Sequence, residues 1–520
     1  MAPVVNGAAD LDLSMTVPDT VEVERKYEVE QGAPLPELGM LAGVDRVGTP
    51  EEHNLDAVYF DTRDLALAAH GITLRRRSGG DDDGWHLKLP LGAGERREIT
   101  EPVGSDPDTA PERLRRLVLV HTRDRVLVPV VRLGTRRTVL SLYGPANTVL
   151  AEFCDDRVEA HTLLGKPESS SWREWEIELV DGRRDLLEAA DTLLAASGQH
   201  PAALPSKLAR ALGANYPDGP VLPPKPTRKG PASAVLLAYM HAMVRMLKAH
   251  DPGVREDLPD AVHQLRVAAR SMRSALATYR KLTDPTVARS LREELQWLAG
   301  VAGAARDTEV ILLRLKDMIG TEPAELLMGP VQQRIQEHLG ARHHDARAAG
   351  LAALESDRYF RLLDSLDSFV TDPPLSELAR KPARKCVADR VAADRDRLKQ
   401  AVEAVDGASD GAPADAALHE VRKSAKRLRY AAEAAAAIHG KRARRLARAA
   451  EHIQQILGEH QDSLVTRELL RDLGARAHSE GANGFSYGRL HAIEQQRGSD
   501  SQTQFLLAWA QFRPKPLHRK

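Results

Sequence analysis

The sequence predicts an α+β protein of several domains, with a mostly β N-terminal part and an all-α C-terminal part. Up to about residue 180, short runs rich in Val, Leu, Trp and Tyr alternate with turn sequences. A dense group of prolines lies between 215 and 233, where helices and strand ladders are disfavoured. From 234 to about 512, apolar residues recur at helical spacing. The predicted divisions are a disordered tail (1–20), a β domain (21–214), a linker (215–233), a helical domain (234–512) and a basic tail (513–520).

The bulk composition narrows the function classes. The chain has 520 residues, and its 73 basic and 74 acidic side chains give a net charge of −1, so any site for an anion must be local. An aromatic content of 4% disfavours base stacking, and no nucleic-acid partner is expected. The two cysteines fall in different predicted domains and form no disulfide framework. No segment resembles a signal peptide or a membrane span, so we expect a cytoplasmic protein without a membrane partner. The sequence does not indicate the oligomeric state.

Charged residues alternate along the first predicted strand. Residues two apart on a strand share a face, so Glu22, Glu24 and Lys26 should point the same way. A solvated strand face would produce the same pattern. Later segments repeat the design, however, with charged residues on one face and apolar residues such as Leu87, Phe153, Trp175 and Ile177 on the other. The charged residues are Arg75 and Arg77, Lys88, Arg132 and Arg136, Glu152 and Asp156, and Glu176 and Glu178.

A barrel with its charged faces turned inward would form a tunnel lined by cations and carboxylates. The apolar outer face would then need a cover of helices or a partner. The arginines and lysines are suited to binding a chain of phosphates. The carboxylates are hard oxygen ligands for Mg²⁺ or Mn²⁺. Mutual salt bridges are the alternative explanation for any single pair, but a metal ion with a triphosphate satisfies both sets of charges.

An ordered set of motifs in the β domain resembles the CYTH superfamily, the triphosphate tunnel metalloenzymes. The motifs are Glu22-Val-Glu24-Arg-Lys26, Tyr59-Phe60-Asp61-Thr62, Leu74-Arg75-Arg76-Arg77, Trp85-His-Leu-Lys88-Leu-Pro90, Glu152-Phe-Cys-Asp-Asp156, Glu176-Ile-Glu178 and Ser206-Lys207. The resemblance covers about 21–212. It implies an eight-stranded antiparallel tunnel, in a family whose members hydrolyse inorganic or thiamine triphosphate or cyclise ATP.

The resemblance also assigns roles to residues. The implied metal ligands are Glu22, Glu24, Asp156, Glu176 and Glu178, with Mg²⁺ or Mn²⁺ as the cofactor. The implied substrate-binding residues are Lys26, Arg75, Arg77, Lys88, Arg132, Arg136 and Lys207. Glu22, Glu24, Lys26 and Lys88 are the expected catalytic group. Two choices are close: Asp155 or Asp156 on one strand, where the two-residue alternation from Glu152 favours Asp156, and Arg132, Arg136 or Arg137 on another.

The helical part contains an internal repeat. The segment that begins His263-Gln-Leu-Arg266 matches the one that begins His419-Glu-Val-Arg422, with an offset of 419 − 263 = 156. Downstream, Gly303 matches Gly458, with an offset of 458 − 303 = 155. Two ordered matches at nearly one offset indicate a duplication.

Each repeat carries a basic stripe at helical spacing. Like charges three and four residues apart repel, so two equivalent stripes predict an anionic ligand, although a solvated face paired with acids is the alternative. The segments resemble the CHAD domain, a helical duplication associated with binding inorganic polyphosphate. The predicted polyphosphate-binding residues are His263, Arg266, Arg270, Arg273, His419, Arg422, Lys423, Lys426 and Arg429.

The sequence therefore predicts a metal-dependent inorganic triphosphatase, with inorganic triphosphate and polyphosphate as partners and a possible location at polyphosphate granules. The alternatives are a thiamine or nucleoside triphosphatase, an adenylate cyclase, and a non-catalytic protein that binds polyphosphate or associates with granules.

Overall fold

The computed structural model describes residues 20–517 except 81, 93 and 410. The predicted tail over 1–20 therefore lies outside the described residues apart from Thr20, as do the last three residues of the predicted tail over 513–520. The chain divides into two compact units, with the boundary in the sequence between Val221 and Leu222. Residues 216–230 contain neither a helix nor a strand, in the region where the prolines concentrate.

Strands dominate the first unit. In chain order they are β1 (Thr20–Val29), β2 (Arg46–Val47), β3 (Glu51–Asp61), β4 (Thr73–Ser78), β5 (Gly84–Gly92), β6 (Glu95–Glu101), β7 (Val128–Tyr143), β8 (Val149–Thr162), β9 (Ser169–Leu179) and β10 (His200–Pro201). The helices of this unit are α1 (Glu112–Thr122), α2 (Arg184–Ala196) and α3 (Lys207–Leu212).

The long strands form a closed antiparallel barrel. The order around the ring is β1, β6, β5, β4, β3, β7, β8 and β9, and pairing of β9 with β1 closes it. Strand β1 makes this closure by pairing its first half with β6 and its second half with β9. The predicted eight-stranded antiparallel barrel is confirmed.

The two faces of the barrel wall differ in polarity as predicted. Apolar side chains such as Phe153, Trp175 and Ile177 point outward and pack against α2, in a core that includes Leu187 and Leu194. On the other side of the ring, the outer faces of β3 to β6 pack against α1 in the same way. Two amphipathic helices therefore cover the apolar outside, and the alternating charged side chains point into the tunnel.

Helix α3 fills one end of the tunnel. Its Leu208 and Leu212 lie in an apolar cluster with side chains of β3, β7, β8 and β9, including Tyr59 and Leu133. Ser206 caps the helix by accepting a hydrogen bond from the backbone N–H of Ala209 at 3.1 Å. At this end the inner face is consequently apolar, and the charged section begins beyond it.

The second unit is all-α, as predicted. Its helices are α4 (Ala232–Arg255), α5 (Ala261–Thr278), α6 (Pro285–Val301), α7 (Gly303–Thr321), α8 (Val331–Leu354), α9 (Asp357–Thr371), α10 (Ala383–Asp406), α11 (Ala412–His439), α12 (Lys441–Ser479) and α13 (Phe485–Gln511). Most helices pack against their chain neighbours, and α5 also contacts α11. Among the described residues, no helix has both the length and the apolar character that crossing a bilayer requires.

The structure gives a physical reason for the repeated glycines. A Cβ atom at Gly303 would lie 2.7 Å from the Arg266 guanidinium carbon, so any larger residue there would require that side chain to shift. In the second repeat, a Cβ at Gly458 would lie 3.7 Å from Nη2 of Arg422. Each repeat thus places an arginine of one helix against a glycine of another, with less space in the first repeat.

Candidate functional site

Carboxylates crowd one section of the tunnel. Glu22, Glu24 and Glu178 lie on the paired strands β1 and β9 and face inward. Lys88 of β5 donates to both carboxylate oxygens of Glu22, at 2.7 and 2.5 Å. Burial and a hydrogen bond with Glu98 nevertheless raise the pKa of Glu22 to about 8. Burial also raises the pKa of Glu178, as do the neighbouring charges of Glu24 and Glu176. This section holds more negative charge than its cations neutralise.

A second group of ion pairs lies deeper along the same strands. Lys26 contacts Glu24 at 2.7 Å and also forms an ion pair with Glu176. The pKa of Lys26 is raised because these two carboxylates outweigh the opposing effect of burial. The pKa of Glu176 is held well below its usual range, because Lys207, Lys26 and Arg137 together overcome its burial. Lys26 therefore joins the two groups of carboxylates.

Lys207 is the first residue of α3 and projects its ammonium group into the wall of the tunnel. Its Nζ lies 2.8 Å from Asp156, 2.8 Å from Glu174 and 2.7 Å from Glu176. One oxygen from each of these carboxylates lies within 4.8 Å of the others, a spacing at which three acids can hold a metal ion. Here the ammonium group occupies that position. The three buried carboxylates raise the pKa of Lys207 far above its usual value despite burial.

Asp156 rather than Asp155 faces the tunnel. Asp156 is fully buried and contacts Arg137 and Lys207, whereas Asp155 points to the other face and pairs with Arg173 at 2.7 Å. The two-residue alternation counted from Glu152 predicted this choice.

The placement predicted for Arg132 and Arg136 is wrong. Both arginines are exposed, and Arg132 pairs with Asp56 on the outer surface at 2.9 Å. Arg137 faces inward instead and donates to Asp156 and Glu176 at 2.7 and 2.6 Å. The apolar residues of this strand were expected to point outward. At the end filled by α3 they point inward, which reverses the orientation of Arg132.

We expect Arg137→Gln and Arg132→Gln to have very different effects on stability. Removing Arg137 deprives two buried carboxylates of a partner, which should lower the free energy of unfolding of the barrel by about 3 kcal/mol. Removing Arg132 breaks an exposed pair and should cost less than about 1 kcal/mol. Chemical denaturation of both variants, monitored by a β-sheet signal, tests this difference. Equal losses would contradict the placement of Arg137.

Two arginines on β4 are incompletely neutralised. Arg75 lies 3.8 Å from Glu98 and 3.5 Å from the hydroxyl of Tyr59, and Arg77 pairs with Asp82. The buried Nε atoms of both arginines have no hydrogen-bond partner among the described residues. Burial, together with the nearby Arg75 and Arg137, lowers the pKa of Arg77 to about 9. This section of the tunnel is therefore short of negative charge.

Three inward-facing residues were missed in the sequence. Glu98 of β6 lies 2.9 Å from His86 and 3.7 Å from Lys88, Glu174 holds Lys207, and Tyr59 contacts Arg75. A signal existed for both acids: Glu98 alternates with the buried Ile99, and Glu174 continues the alternation of Glu176 and Glu178. For Tyr59 the sequence offered no such alternation, only its position in the motif Tyr59-Phe60-Asp61-Thr62.

In the helical unit, α5 and α11 bring five of the predicted cations together. We call this group the basic cluster; its members are Arg266, Arg270, Arg273, Arg422 and Lys426. Arg266 pairs with Asp307 at 2.8 Å, but Arg270, Arg273, Arg422 and Lys426 form no ion pair with a described residue. Burial, followed by the charges of Arg422 and Arg270, lowers the pKa of Lys426 to about 7. The cluster thus carries unneutralised positive charge.

The other predicted polyphosphate-binding residues lie outside the basic cluster, and most of them already have partners. Arg429 is neutralised by Glu433 and Glu451 at 2.8 and 3.0 Å. Lys423 pairs with Glu420 on the surface. His263 is exposed, while Nδ1 of His419 lies 2.7 Å from the side-chain oxygen of Gln461. Arg422 and Lys426 are therefore the residues of the second stripe that join the cluster.

Comparison with known proteins agrees with the division into a barrel and a helical unit. The sequence profile of the CYTH domain matches residues 20–212, and that of the CHAD domain matches residues 238–471. Uncharacterized protein MT2285 of Mycobacterium tuberculosis (strain CDC 1551 / Oshkosh) is 38% identical over 491 residues, covering 91% of this chain and 93% of that protein.

Two solved structures resemble part of the chain. PptA from Streptomyces chartreusis is 22% identical with a TM-score of 0.45, over 54% of this chain and 99% of that one. The CHAD domain from the plant Ricinus communis is 24% identical with a TM-score of 0.45, over 57% of this chain and 99% of that one.

The fold and the profiles define a tunnel-forming barrel domain joined to a duplicated helical domain, and a CYTH domain indicates a triphosphate tunnel enzyme. This chain belongs to the family of proteins in which a CYTH domain is followed by a CHAD domain.

Proposed function

We propose that the tunnel hydrolyses inorganic triphosphate with the help of a divalent metal ion, and that the helical unit binds inorganic polyphosphate. One observation carries the first half of the proposal. The tunnel contains acids and cations whose charged forms burial destabilises: the pKa of Glu22 is raised to about 8, while that of Arg77 is lowered to about 9. A ligand that combines a cation with a polyanion relieves both imbalances, and a metal-bound triphosphate is such a ligand.

The carboxylates fit a hard divalent ion. Glu22, Glu24 and Glu178 offer oxygen ligands where burial and mutual repulsion already raise the pKa of Glu22 and of Glu178. Glu176 and Asp156 lie next to them but are engaged by Lys207 and Arg137. Mg²⁺ or Mn²⁺ prefers such oxygen donors and, when bound, would supply Lewis-acid stabilisation of phosphoryl charge.

The cations would bind and orient the phosphate chain. The buried Nε atoms of Arg75 and Arg77 have no hydrogen-bond partner among the described residues, and Lys26 and Lys88 contact Glu24 and Glu22. A fixed array of donors stabilises the charge that develops on the phosphoryl oxygens without reorganisation at the moment of reaction. Burial of the array also limits access of bulk water.

The proposed reaction is attack of one water molecule on a terminal phosphoryl group. The P–O bond to the bridging oxygen breaks, which yields orthophosphate and diphosphate. The proton of the water passes to a carboxylate of the Glu22, Glu24 and Glu178 group, which acts as the general base. The mechanism needs no covalent intermediate.

The closed end of the tunnel favours an inorganic substrate. An organic group such as a nucleoside or thiamine needs an apolar or aromatic pocket. The apolar section of the tunnel is filled by Leu208 and Leu212 of α3. A linear phosphate chain has no organic group and therefore needs no apolar pocket there.

Turnover of a panel of substrates tests the proposal. The full-length protein is incubated with inorganic triphosphate, thiamine triphosphate and ATP, with and without Mg²⁺ or Mn²⁺, while released phosphate and cyclic AMP are measured. Metal-dependent release from inorganic triphosphate in preference to the others is expected. Preference for an organic triphosphate, formation of cyclic AMP, or binding without turnover would each favour the corresponding alternative.

The basic cluster supports the second half of the proposal. A polyphosphate chain would neutralise Arg270, Arg422 and Lys426, and the binding should be strongly salt-dependent. It would also raise the pKa of Lys426 above its value of about 7 in the free protein.

This pKa predicts the pH dependence of polyphosphate binding. Lys426 is protonated below about pH 7 in the free protein, and binding favours the protonated form. Affinity should therefore be fully present below pH 7 and fall as pH rises above it, by up to about tenfold per pH unit for one proton. Calorimetric titration between pH 6 and 9 at constant ionic strength measures this.

Lys426→Arg is the matched control, because an arginine stays charged over this range. The ligand titrates identically in both proteins, so the difference between the two profiles isolates Lys426. Identical pH profiles for the two proteins would exclude Lys426 from the binding site.

A further inference from the structure

Three helices of the second unit begin at the same end of the bundle. The segment before α4 pairs with the segment before α10: the N–H of Ala383 donates to the carbonyl of Gly230 at 2.8 Å, and that of Ala232 to Lys381 at 2.9 Å. The side chain of Arg228 donates through Nε to the carbonyl of Ile438 at 3.0 Å, three residues before α12 begins at Lys441. The starts of α4, α10 and α12 thus lie side by side.

Exposed basic residues gather at this end, which we call the bundle-end patch. Its members are Arg228, Lys229, Lys381, Arg384, Lys385, Lys441, Arg442, Arg444, Arg445 and Arg448. All are exposed, and within the described part of the chain none forms an ion pair with an acid. Elsewhere on the same unit some exposed arginines do have acidic partners, for example Arg358 with Glu294 and Arg397 with Asp394.

The backbone adds to the positive charge. A helix N-terminus carries a partial positive charge, which proteins commonly offset with an acid or a capping side chain. The first turns of α4, α10 and α12 contain no acid, and their N-caps, Pro231, Pro382 and Gly440, provide no side-chain hydrogen bond. Cationic side chains and helix dipoles therefore repel one another across the patch, and a bound polyanion would remove that repulsion.

We propose that the bundle-end patch is a second binding surface for inorganic polyphosphate, separate from the basic cluster. The inference rests on the proposed function of the helical unit. Lys426 and Ile438 lie twelve residues apart on α11, which corresponds to roughly 18 Å along the helix. Arg429, which lies between them, is neutralised by Glu433 and Glu451, so the two surfaces are distinct.

Charge complementarity and the composition of the patch favour a flexible inorganic polyanion. The patch contains no aromatic side chain on which bases could stack. Its apolar residues on α12, Ala443 and Leu446, are buried within the bundle, so none is available to enter a lipid bilayer. A long polyphosphate chain can contact both surfaces at once, and the second contact then benefits from a high effective concentration. A short chain can occupy only one surface.

The test compares chain lengths in three full-length proteins. The patch variant carries Arg442→Gln, Arg444→Gln and Arg445→Gln, and the cluster variant carries Arg270→Gln and Lys426→Gln. Binding of triphosphate, short-chain polyphosphate and long-chain polyphosphate is measured at several salt concentrations. We expect the patch variant to lose about tenfold or more in affinity for long chains only. The slope of its log binding constant against log salt concentration should become shallower by about 2.

The cluster variant separates this inference from the proposed function, because it should lose affinity for short-chain and long-chain polyphosphate alike, whereas triphosphate should still bind in the tunnel. Unchanged short-chain binding in the cluster variant would contradict polyphosphate binding by the cluster. Unchanged long-chain binding in the patch variant would overturn the patch.

A second control carries Arg342→Gln, Arg471→Gln and Arg476→Gln, which remove the same charge from exposed positions elsewhere on the unit. If this control lost as much affinity for long chains as the patch variant, the effect would come from net charge alone and the proposal would be overturned. A patch variant that changes binding of duplex DNA or anionic vesicles but not of polyphosphate would also overturn it.

Discussion

Replacing Glu24 with glutamine should abolish the metal-dependent release of phosphate from inorganic triphosphate, with a loss in kcat/KM of about 10²–10³-fold or more. Glu24 lies beside Glu22 and Glu178, whose pKa values are raised, and it contacts Lys26 at 2.7 Å. Glutamine keeps the shape of the side chain but removes its charge, so the loss would report the charge itself. Steady-state kinetics measure the loss of turnover, and calorimetric titration with Mg²⁺ or Mn²⁺ measures the accompanying loss of metal affinity.

The matched control is Glu28→Gln on the same strand. Glu28 is exposed and lies 3.8 Å from Arg210, outside the group of charges in the tunnel. Its variant should keep normal turnover and normal metal affinity. If Glu24→Gln also kept most of its metal-dependent activity, Glu24 would not be a metal ligand and the proposed site would have to move.

Replacing Lys207 with alanine should destabilise the barrel strongly, by about 3–5 kcal/mol. The change leaves Asp156, Glu174 and Glu176 buried without the ammonium group that they share. Protonation would relieve their mutual repulsion, so the variant should recover stability as pH falls. The wild type should show the opposite trend, because the lowered pKa values of Asp156 and Glu176 give stability that is lost in acid.

Divalent cations provide a second readout for Lys207→Ala. The three carboxylates are close enough to hold a metal ion, so Mg²⁺ or Mn²⁺ should raise the unfolding temperature of the variant more than that of the wild type. Lys166→Ala, at an exposed position, is the control and should behave as the wild type. A loss below about 1 kcal/mol with no effect of metal would show that the carboxylates do not depend on the ammonium group.

The alternation of charges made most of the tunnel lining predictable. Period two is a local property of strands, so Glu22, Glu24 and Lys26 could be placed together before any pairing was known. The same rule failed for Arg132 and Arg136. Which face of β7 points inward depends on α3, which follows about 70 residues later in the chain. The leucines of α3 pack inside the tunnel against apolar residues of β7, so these residues point inward and the arginines between them point outward.

The helical unit shows a similar limit. The repeat offset placed Arg422 and Lys426 in correspondence with Arg266 and Arg270, and the structure brings them together. The sequence could not show that Arg429, one turn beyond Lys426, is neutralised by acids of α11 and α12. Whether a cation stays free depends on which acids reach it, and that is decided by helix packing.

Closure of the barrel through β1 and β9 has a consequence for synthesis of the chain. Lys26 and Glu176, which meet at this seam, are 150 residues apart in sequence. At about 5–20 residues per second, the ribosome completes β9 roughly 8–30 s after β1 has been made. During that interval the second half of β1 has no strand partner, and the carboxylates of the two strands are still apart. The tunnel and its charge pattern therefore form together, as one late event, only after nearly the whole first unit has been translated.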